Sequence, residues 1–173
     1  MFKDFDISKF KKMKPPGDNS IKTKNEIKEL KKIPIREKFV NEMDDGEKLF
    51  TKIVGKDPLI GKLISKSLVI INKLKKHFNR PRPVVLAKKM GIELKDIKLK
   101  SMDSPAYPSG HATQATLLSL ALSDKYPDKK NKLKKIARDI IYSRQVAHTH
   151  YKSDNLMGEK LGKQMYNHIK NKI

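Results

Sequence analysis

The chain contains no cysteine and no tryptophan, and only 6% of its 173 residues are aromatic. Without cysteine it has no disulfide, no thiol nucleophile and no thiolate ligand for a metal ion. No apolar run reaches the ~18 residues that a membrane-spanning helix needs. The most apolar stretch, residues 59–74, is interrupted by Lys62, Lys66 and Lys73. The first residues show no signal-peptide pattern. These absences predict a soluble, cytoplasmic protein.

Acidic residues are few beside basic ones, with 19 Asp and Glu against 40 Lys and Arg, and the formal net charge is +21. Only five of the basic residues are arginines, and three of these, Arg80, Arg82 and Arg144, lie within short motifs. A guanidinium can hold two oxygens of an oxyanion at once, whereas a lysine acts as a movable point charge. We therefore interpret the lysines as a solvated surface and the three arginines as parts of a site.

A strongly basic surface can attract nucleic acid or an anionic membrane face through its long-range field. No helix-turn-helix, zinc or aromatic-stacking motif accompanies the charge in this sequence. We therefore expect no nucleic-acid partner. Peripheral contact with a membrane remains open, and so does a homodimer.

The sequence predicts one all-α domain, because 173 residues suit a single core and no segment alternates as a strand does. Residues 1–17 end in a Pro-Pro-Gly turn and are predicted to be irregular, and residues 18–173 form the domain. Helical signals predict a single-domain bundle of about six or more helices, with the site at the ends of its core helices. The first segment is capped by Asp18, Asn19 or Ser20 and ends at about residue 32. The others are 35–43, 47–54, 58–79, 84–90, 112–123, 133–141 and a last helix from 153 or 154.

Apolar residues three and four positions apart predict the buried faces of these helices. The predicted stripe of segment 58–79 includes Leu68, and that of the last helix includes Leu156. The stripe of segment 133–141 extends to Arg144, and a buried arginine needs an anion to face.

Three short motifs lie between residues 75 and 154. They are Lys75-x6-Arg82-Pro83, Pro108-Ser109-Gly110-His111 and Ser143-Arg144-x5-His150-x3-Asp154. Phosphoryl transfer needs cationic donors around the equatorial oxygens and a nucleophile in line with the leaving group. The first motif offers donors, and the second opens a helix whose N–H groups can bind an anion. The third combines an arginine with a histidine and an aspartate four residues apart.

Some of these residues have a second interpretation. Lys73 and Arg80 have the same spacing as the pair in the first motif, so its register is open. Ser109 can act as a helix N-cap, and Asp154 can cap the last helix. Each capping role is compatible with a role in the site.

The order, spacing and residue types of the three motifs resemble the signature of one superfamily. It comprises type 2 phosphatidic acid phosphatases, class A bacterial acid phosphatases and vanadium haloperoxidases. The stretches HFNRPRP, AYPSGHAT and SRQVAHTHYKSD are each similar to the family's motifs, and the last is closest to the soluble class A acid phosphatases. The resemblance implies an acid phosphatase-like hydrolase of small phosphomonoesters that needs no metal and forms a phosphohistidine.

The resemblance also implies a role for each motif residue. His150 is the nucleophile, Asp154 fixes its tautomer and His111 protonates the leaving group. The implied phosphate ligands are Lys75, Arg82, Ser109, Gly110 and Arg144. Arg80 is a candidate accessory residue, because related phosphatases carry Arg-x-Arg-Pro here, and this pattern favours the register of Lys75 and Arg82. His148 is a second accessory candidate. It departs from the family, which has a small residue there, and its bulk is expected to narrow the pocket.

No cofactor and no metal are expected, since the motifs contain no His-x3-His or paired-carboxylate spacing. Phosphate or vanadate fits the same implied pocket. A vanadate-dependent haloperoxidase is therefore one alternative activity, and hydrolysis of a lipid phosphate or diphosphate is another.

Overall fold

The computed structural model describes residues 1–173, and its regular structure consists of helices without strands. The all-α prediction is confirmed. The helices are α1 (Ser8–Lys11), α2 (Ile21–Lys32), α3 (Glu37–Met43), α4 (Gly46–Val54), α5 (Pro58–Phe78), α6 (Pro83–Lys89), α7 (Gly110–Lys125), α8 (Lys130–Val146) and α9 (Lys152–Ile169). None of them combines the length and apolar character that crossing a bilayer requires.

Polar residues at the helix boundaries determine where α5 and α7 begin and end. The Asp57 carboxylate accepts a hydrogen bond from a main-chain N–H two residues on, and Pro58 occupies the first turn of α5. Asn79 ends α5 in a left-handed conformation with φ of 48°. Ser109 caps α7 through its side-chain oxygen. The end of α5 and the start of α7 meet, which brings the first two motifs together.

The central helix is α7, which packs against α4, α5, α8 and α9. Its buried residues cover several sides, as its nearly uniform apolar pattern predicts. Its contact with α9 is close because Gly158 and Gly162 carry no side chain. A Cβ added at Gly158 would lie 2.6 Å from the carbonyl oxygen of Ser109. This close approach lets α9 present the third motif beside the second.

Helices α2 and α3 pack onto the bundle through small apolar clusters. Ile27 and Leu30 of α2 are buried with residues of α6 and with Tyr151. Val40 of α3 is buried with residues at the end of α8. Both α2 and α3 are therefore held near the turn between α8 and α9.

The segment predicted to be irregular, residues 1–17, is mainly loop but contains the single helical turn α1. Phe10 of this turn is fully buried in the main core, and Phe2 and Phe5 pack against that core. Burial of these rings anchors the segment. The Pro-Pro-Gly signal on which the prediction depended marks only the end of the segment.

Two residues predicted on buried stripes are exposed instead. Leu68 is 46% exposed and Leu156 is 55% exposed. The adjacent residues Ser67 and Met157, which lie on the same predicted stripes, are buried. The buried faces of α5 and α9 are thus narrower than the apolar pattern indicates.

Candidate active site

The third motif forms a buried histidine–aspartate pair at the turn between α8 and α9. His150 is 3% exposed, and Asp154, in the first turn of α9, is fully buried. The His150 Nδ1 atom lies 2.9 Å from Asp154 Oδ2. The same oxygen accepts a hydrogen bond from the main-chain N–H of Tyr151 at 3.1 Å. The four-residue spacing therefore produces the contact that the sequence predicts.

Arg82 determines which nitrogen of His150 carries the proton. Its Nη1 lies 3.0 Å from His150 Nε2, and a guanidinium can only donate. Nε2 must therefore present its lone pair, and the ring proton lies on Nδ1, which donates it to Asp154. This arrangement leaves Nε2 as the basic and nucleophilic atom of the ring.

Three cations, Lys75, Arg82 and Arg144, are buried around His150, and each is at most 7% exposed. Lys75 donates to one main-chain carbonyl of the loop 101–105 and Arg82 donates to two, at 2.5 to 3.0 Å. The Nη2 atom of Arg144 is buried without a hydrogen-bond partner. Lys73 is exposed. Of the two possible registers of the first motif, the one with Lys75 and Arg82 is therefore the one that brings two cations to His150.

Burial and the crowding of positive charge shift the pKa values in this pocket. Burial, reinforced by Arg82, Lys75 and Arg144, holds the pKa of His150 well below its ordinary value, so the ring is neutral at pH 7. Burial and Arg82 lower the pKa of Lys75 to about 7. Burial also lowers the pKa of Arg82 to about 10. An anion in the pocket would relieve this repulsion among like charges.

Arg80 holds Asp154 from the side opposite to His150. Its Nη1 donates to Asp154 Oδ1 at 2.7 Å, and its guanidinium carbon lies 3.7 Å from the centroid of the Tyr151 ring. Burial raises the pKa of Asp154 to about 7, and Arg80 opposes this shift through its charge and its hydrogen bond. Arg80 therefore lies behind the histidine–aspartate pair rather than beside Arg82 in the pocket.

Ser109 and Gly110 bring the start of α7 against the same pocket. The Ser109 hydroxyl accepts a hydrogen bond from the main-chain N–H of Ala112, which confirms its capping role. The main-chain N–H of Ser109 donates to the carbonyl of Asp154 at 3.0 Å. A Cβ at Gly110 would lie 4.0 Å from Cε of Lys75. The helix start, the lysine and the aspartate are therefore neighbours, and the Ser109 hydroxyl keeps a proton that it can donate.

His111 lies at the edge of the pocket and contacts Asp44 in the connection between α3 and α4. Its Nε2 lies 2.9 Å from the Asp44 carbonyl oxygen and 3.3 Å from Oδ1, which also accepts a hydrogen bond from Arg144 at 2.9 Å. The hydrogen bond from His111 and the charge of Arg144 lower the pKa of Asp44 to about 2. A cavity of about 330 Å³ adjoins His111 and is lined in part by Phe50 and Gln114. This cavity offers space beside the pocket.

His148 adopts a left-handed conformation with φ of 57°, which glycine adopts at lower cost. Its two ring nitrogens each lie 2.7 Å from a main-chain carbonyl oxygen, one of Lys95 and one of Ile33. The ring thus braces the turn before His150 against α2 and the loop 92–107. The backbone conformation explains why a glycine suits this position. The ring contacts two carbonyls instead of narrowing the pocket as expected.

Two carboxylates that the sequence analysis did not single out also meet the motif residues. Glu26 of α2 lies 3.4 Å from Arg80 and accepts a hydrogen bond from the main-chain N–H of Ser153 at 2.7 Å. The other is Asp44. No motif marks either residue, since Glu26 is one of two glutamates in a lysine-rich helix and Asp44 belongs to a turn sequence. Their roles emerge only from distances in the folded chain.

The site is a neutral histidine that is bound to a carboxylate and enclosed by buried cations at one end of the helical bundle. This arrangement suits the binding of an anion. The chain belongs to the PAP2 superfamily, whose family model matches residues 59–165. The resemblance identified from the three motifs is therefore confirmed.

Sequence comparison finds similarity to non-specific acid phosphatases. The chain is 33% identical over 88 residues to that of Salmonella typhi, and 32% identical over 88 residues to that of Salmonella typhimurium strain LT2. Each match covers 51% of this chain and 35% of the relative, so the chain matches only about a third of each relative's length.

Among solved structures, the chain is similar to a transmembrane PAP2-type phosphatidylglycerolphosphate phosphatase from Bacillus subtilis. The TM-score is 0.48 and the sequence identity is 18%. The match covers 95% of this chain and 81% of the other.

Proposed function

We propose that this protein hydrolyses phosphomonoesters through a phosphohistidine on His150, without a metal ion. The observation that carries the proposal is the position of the His150 ring, with Nδ1 2.9 Å from Asp154 and Nε2 3.0 Å from Arg82, which leaves a lone pair on Nε2. A nucleophile needs that lone pair, and a phosphoryl group needs the cations that surround it. Buried lysine and arginine side chains repel a metal ion and attract an oxyanion, so they supply the charge that a metal would otherwise supply.

In the first step, Nε2 of His150 forms a bond to phosphorus while the bond from phosphorus to the leaving oxygen breaks. Lys75, Arg82 and Arg144 hold the phosphoryl oxygens, together with the Ser109 hydroxyl and the Gly110 N–H. Asp154 stabilises the positive charge that develops on the imidazole ring. In this step the five groups contact the oxygens of one phosphoryl group, and the step needs no cofactor.

The leaving oxygen takes a proton from His111. For that transfer, His111 Nε2 must give up its hydrogen bond to the Asp44 carbonyl, 2.9 Å away, and donate to the leaving oxygen instead. The cavity beside His111 then accommodates the leaving group. In the second step a water molecule attacks phosphorus, gives its proton to His111, and the bond from phosphorus to nitrogen breaks. The products are an alcohol and inorganic phosphate.

Hydrolysis of p-nitrophenyl phosphate in the presence of EDTA tests this proposal. Wild-type protein is expected to turn over, and His150→Ala is expected to lose on the order of 10³-fold or more in kcat. His77→Ala is the matched control, because His77 is exposed and its ring contacts Phe78 and the carbonyl of Lys11, 3.2 Å away, rather than a residue of the pocket. Radiolabel from a phosphate ester that stays on the wild-type protein, and not on His150→Ala, would identify the covalent intermediate.

Three other results would exclude the proposed mechanism or indicate a different activity. Retained turnover in His150→Ala would exclude the phosphohistidine mechanism. A wild type that is inactive on esters but oxidises bromide with added vanadate and peroxide would be a haloperoxidase. A wild type that acts only on a lipid phosphate in anionic vesicles would be a lipid phosphatase, with its basic surface as the membrane contact.

A further inference from the structure

A continuous chain of contacts runs from helix α2 to the candidate nucleophile. Glu26 Oε2 lies 3.4 Å from Arg80 Nη2, and Arg80 Nη1 lies 2.7 Å from Asp154 Oδ1. Asp154 Oδ2 in turn lies 2.9 Å from His150 Nδ1. The side chains of Arg80 and Asp154 are fully buried and that of Glu26 is 12% exposed. Solvent therefore screens these contacts weakly.

Glu26 also binds the first turn of α9, the turn that carries Asp154. Its Oε1 accepts a hydrogen bond from the main-chain N–H of Ser153 at 2.7 Å, and its Oε2 accepts one from the Ser153 hydroxyl at 2.8 Å. The first N–H groups of a helix have no partner within the helix, and a carboxylate there is favourable. Glu26 thus acts as a capping group supplied by another helix.

The guanidinium of Arg80 is fixed by several contacts at once. Its Nη1 donates to Ser153 Oγ as well as to Asp154, each at 2.7 Å, and its face packs on Tyr151. A planar fork held this way can approach Asp154 in only one orientation. In this orientation Arg80 binds Oδ1 of Asp154, and Oδ2 remains available to accept the hydrogen bond from His150 Nδ1.

We propose that Glu26 and Arg80 are positioning residues for the His150 nucleophile, so that helix α2 is a functional part of the active site. Neither residue touches the phosphoryl pocket, and both act through Asp154. Glu26 lies outside residues 59–165, the part that the family model matches. The inference rests on the proposed function for its kinetic consequences, while the orientation of the His150 ring can be measured without substrate.

The substitution Glu26→Gln tests the proposal, because it keeps the size and an oxygen acceptor and removes the charge. We expect kcat for p-nitrophenyl phosphate to fall by about 10–100-fold, the range for partners that orient a reactive group, while KM changes less than twofold. Glu29→Gln is the matched control, since Glu29 lies on the same helix and pairs only with exposed Lys32. Unchanged kcat in Glu26→Gln, or an equal loss in Glu29→Gln, would overturn the proposal.

Arg80 provides a second readout, the pH dependence of kcat. Removal of the guanidinium in Arg80→Met takes away the charge that opposes burial, so the pKa of Asp154 rises further above about 7. The carboxyl then protonates at higher pH, and the acidic limb of the profile moves to higher pH. Arg80→Lys retains the charge and should shift the limb less. The titratable and charged groups around Asp154 are Lys75, Arg80, Arg82, Tyr107, His150 and Tyr151.

A spectroscopic readout separates this inference from the proposed function. Nitrogen-15 shifts of the His150 ring should report a proton on Nδ1 in wild type and in Glu29→Gln, with His150→Ala used to assign the signals. In Glu26→Gln we expect the signals of Nδ1 and its proton to shift, because the hydrogen bond from Nδ1 to Asp154 is no longer held in one geometry, while Arg82 still keeps Nε2 unprotonated. That result supports the positioning role even if the wild type hydrolyses no phosphomonoester. Unchanged Nδ1–H signals in folded Glu26→Gln would refute the role whatever the activity, and folding of each variant is verified by its thermal transition.

Discussion

Two regions of the chain meet at the candidate site and bring opposite charges to it. Residues 59–165, which the family model matches, supply the histidines and the buried cations. The part of the chain before α5 supplies two carboxylates, Glu26 against Arg80 and Asp44 against Arg144. Asp154 is the carboxylate that the matched region supplies itself.

The difference reflects what each group must do. A ligand for a phosphoryl oxygen or a nucleophile must have one particular chemistry and position, so its residue type and spacing can be recognised along the sequence. A carboxylate that braces an arginine can come from any element packed nearby. We therefore expect substitutions of the nucleophile and of its carboxylate in the matched region to abolish turnover, and substitutions of the N-terminal carboxylates to change it less.

Among the carboxylates, the largest effect is expected for Asp154→Asn, within the matched region. The amide keeps the size but removes the charge that holds the proton on His150 Nδ1, and it leaves buried Arg80 with Glu26, 3.4 Å away, as its remaining carboxylate. We expect kcat to fall by about 10²–10⁴-fold. The measurement is steady-state hydrolysis of p-nitrophenyl phosphate. Asp139→Asn is the control, since Asp139 pairs with exposed Lys135. A loss no larger than that of Glu26→Gln would remove the contrast between the two regions.

The two regions are also expected to differ in how they tolerate added volume. Gly158→Ala places a methyl group 2.6 Å from the Ser109 carbonyl oxygen and 2.8 Å from Ala112 Cβ, whereas nothing lies within 4 Å of a Cβ at Gly46. Overpacking of this kind costs about 1–3 kcal/mol. Chemical denaturation of the Gly158→Ala and Gly46→Ala variants measures it. Equal stability in the two variants would show that α7 and α9 can separate without cost.

Within the matched region, Lys75 should make phosphate binding depend on pH. Burial and Arg82 lower its pKa to about 7, and a bound phosphate raises that pKa again. Above pH 7 binding therefore takes up a proton, and the affinity falls by up to about tenfold per pH unit. Competitive inhibition by phosphate between pH 6 and 9 measures this slope. Lys75→Met should reduce it, whereas Lys73→Met, at an exposed position, should not. A slope that persists in Lys75→Met would assign the proton to another group.

The sequence predicts the all-α fold and the contact of His150 with Asp154 for a physical reason. Helix signals such as Asp57-Pro58 act locally, and the contact of His150 with Asp154 needs only one helical turn. The contacts that the sequence does not predict join residues far apart in the chain. Arg80 matches the spacing of the first motif, yet its position behind Asp154 depends on the packing of α2 and of Tyr151. Glu26 is 127 residues from Ser153, its hydrogen-bond donor, and no periodicity connects two residues so far apart.

The smallest effect is expected for Asp44→Asn, a substitution of the second N-terminal carboxylate. The low pKa of Asp44, about 2, keeps it charged at every assay pH, so its carboxylate competes with phosphate for Arg144. Asp44 is partly exposed, and such a pair contributes only about 0.2–1 kcal/mol. We therefore expect phosphate to inhibit Asp44→Asn more strongly by about two- to fivefold. Asp45→Asn is the control, because Asp45 caps α4 and an asparagine can retain that cap. Weaker inhibition in Asp44→Asn would mean that Asp44 orients Arg144 towards the phosphoryl group, and both N-terminal carboxylates would then be positioning residues.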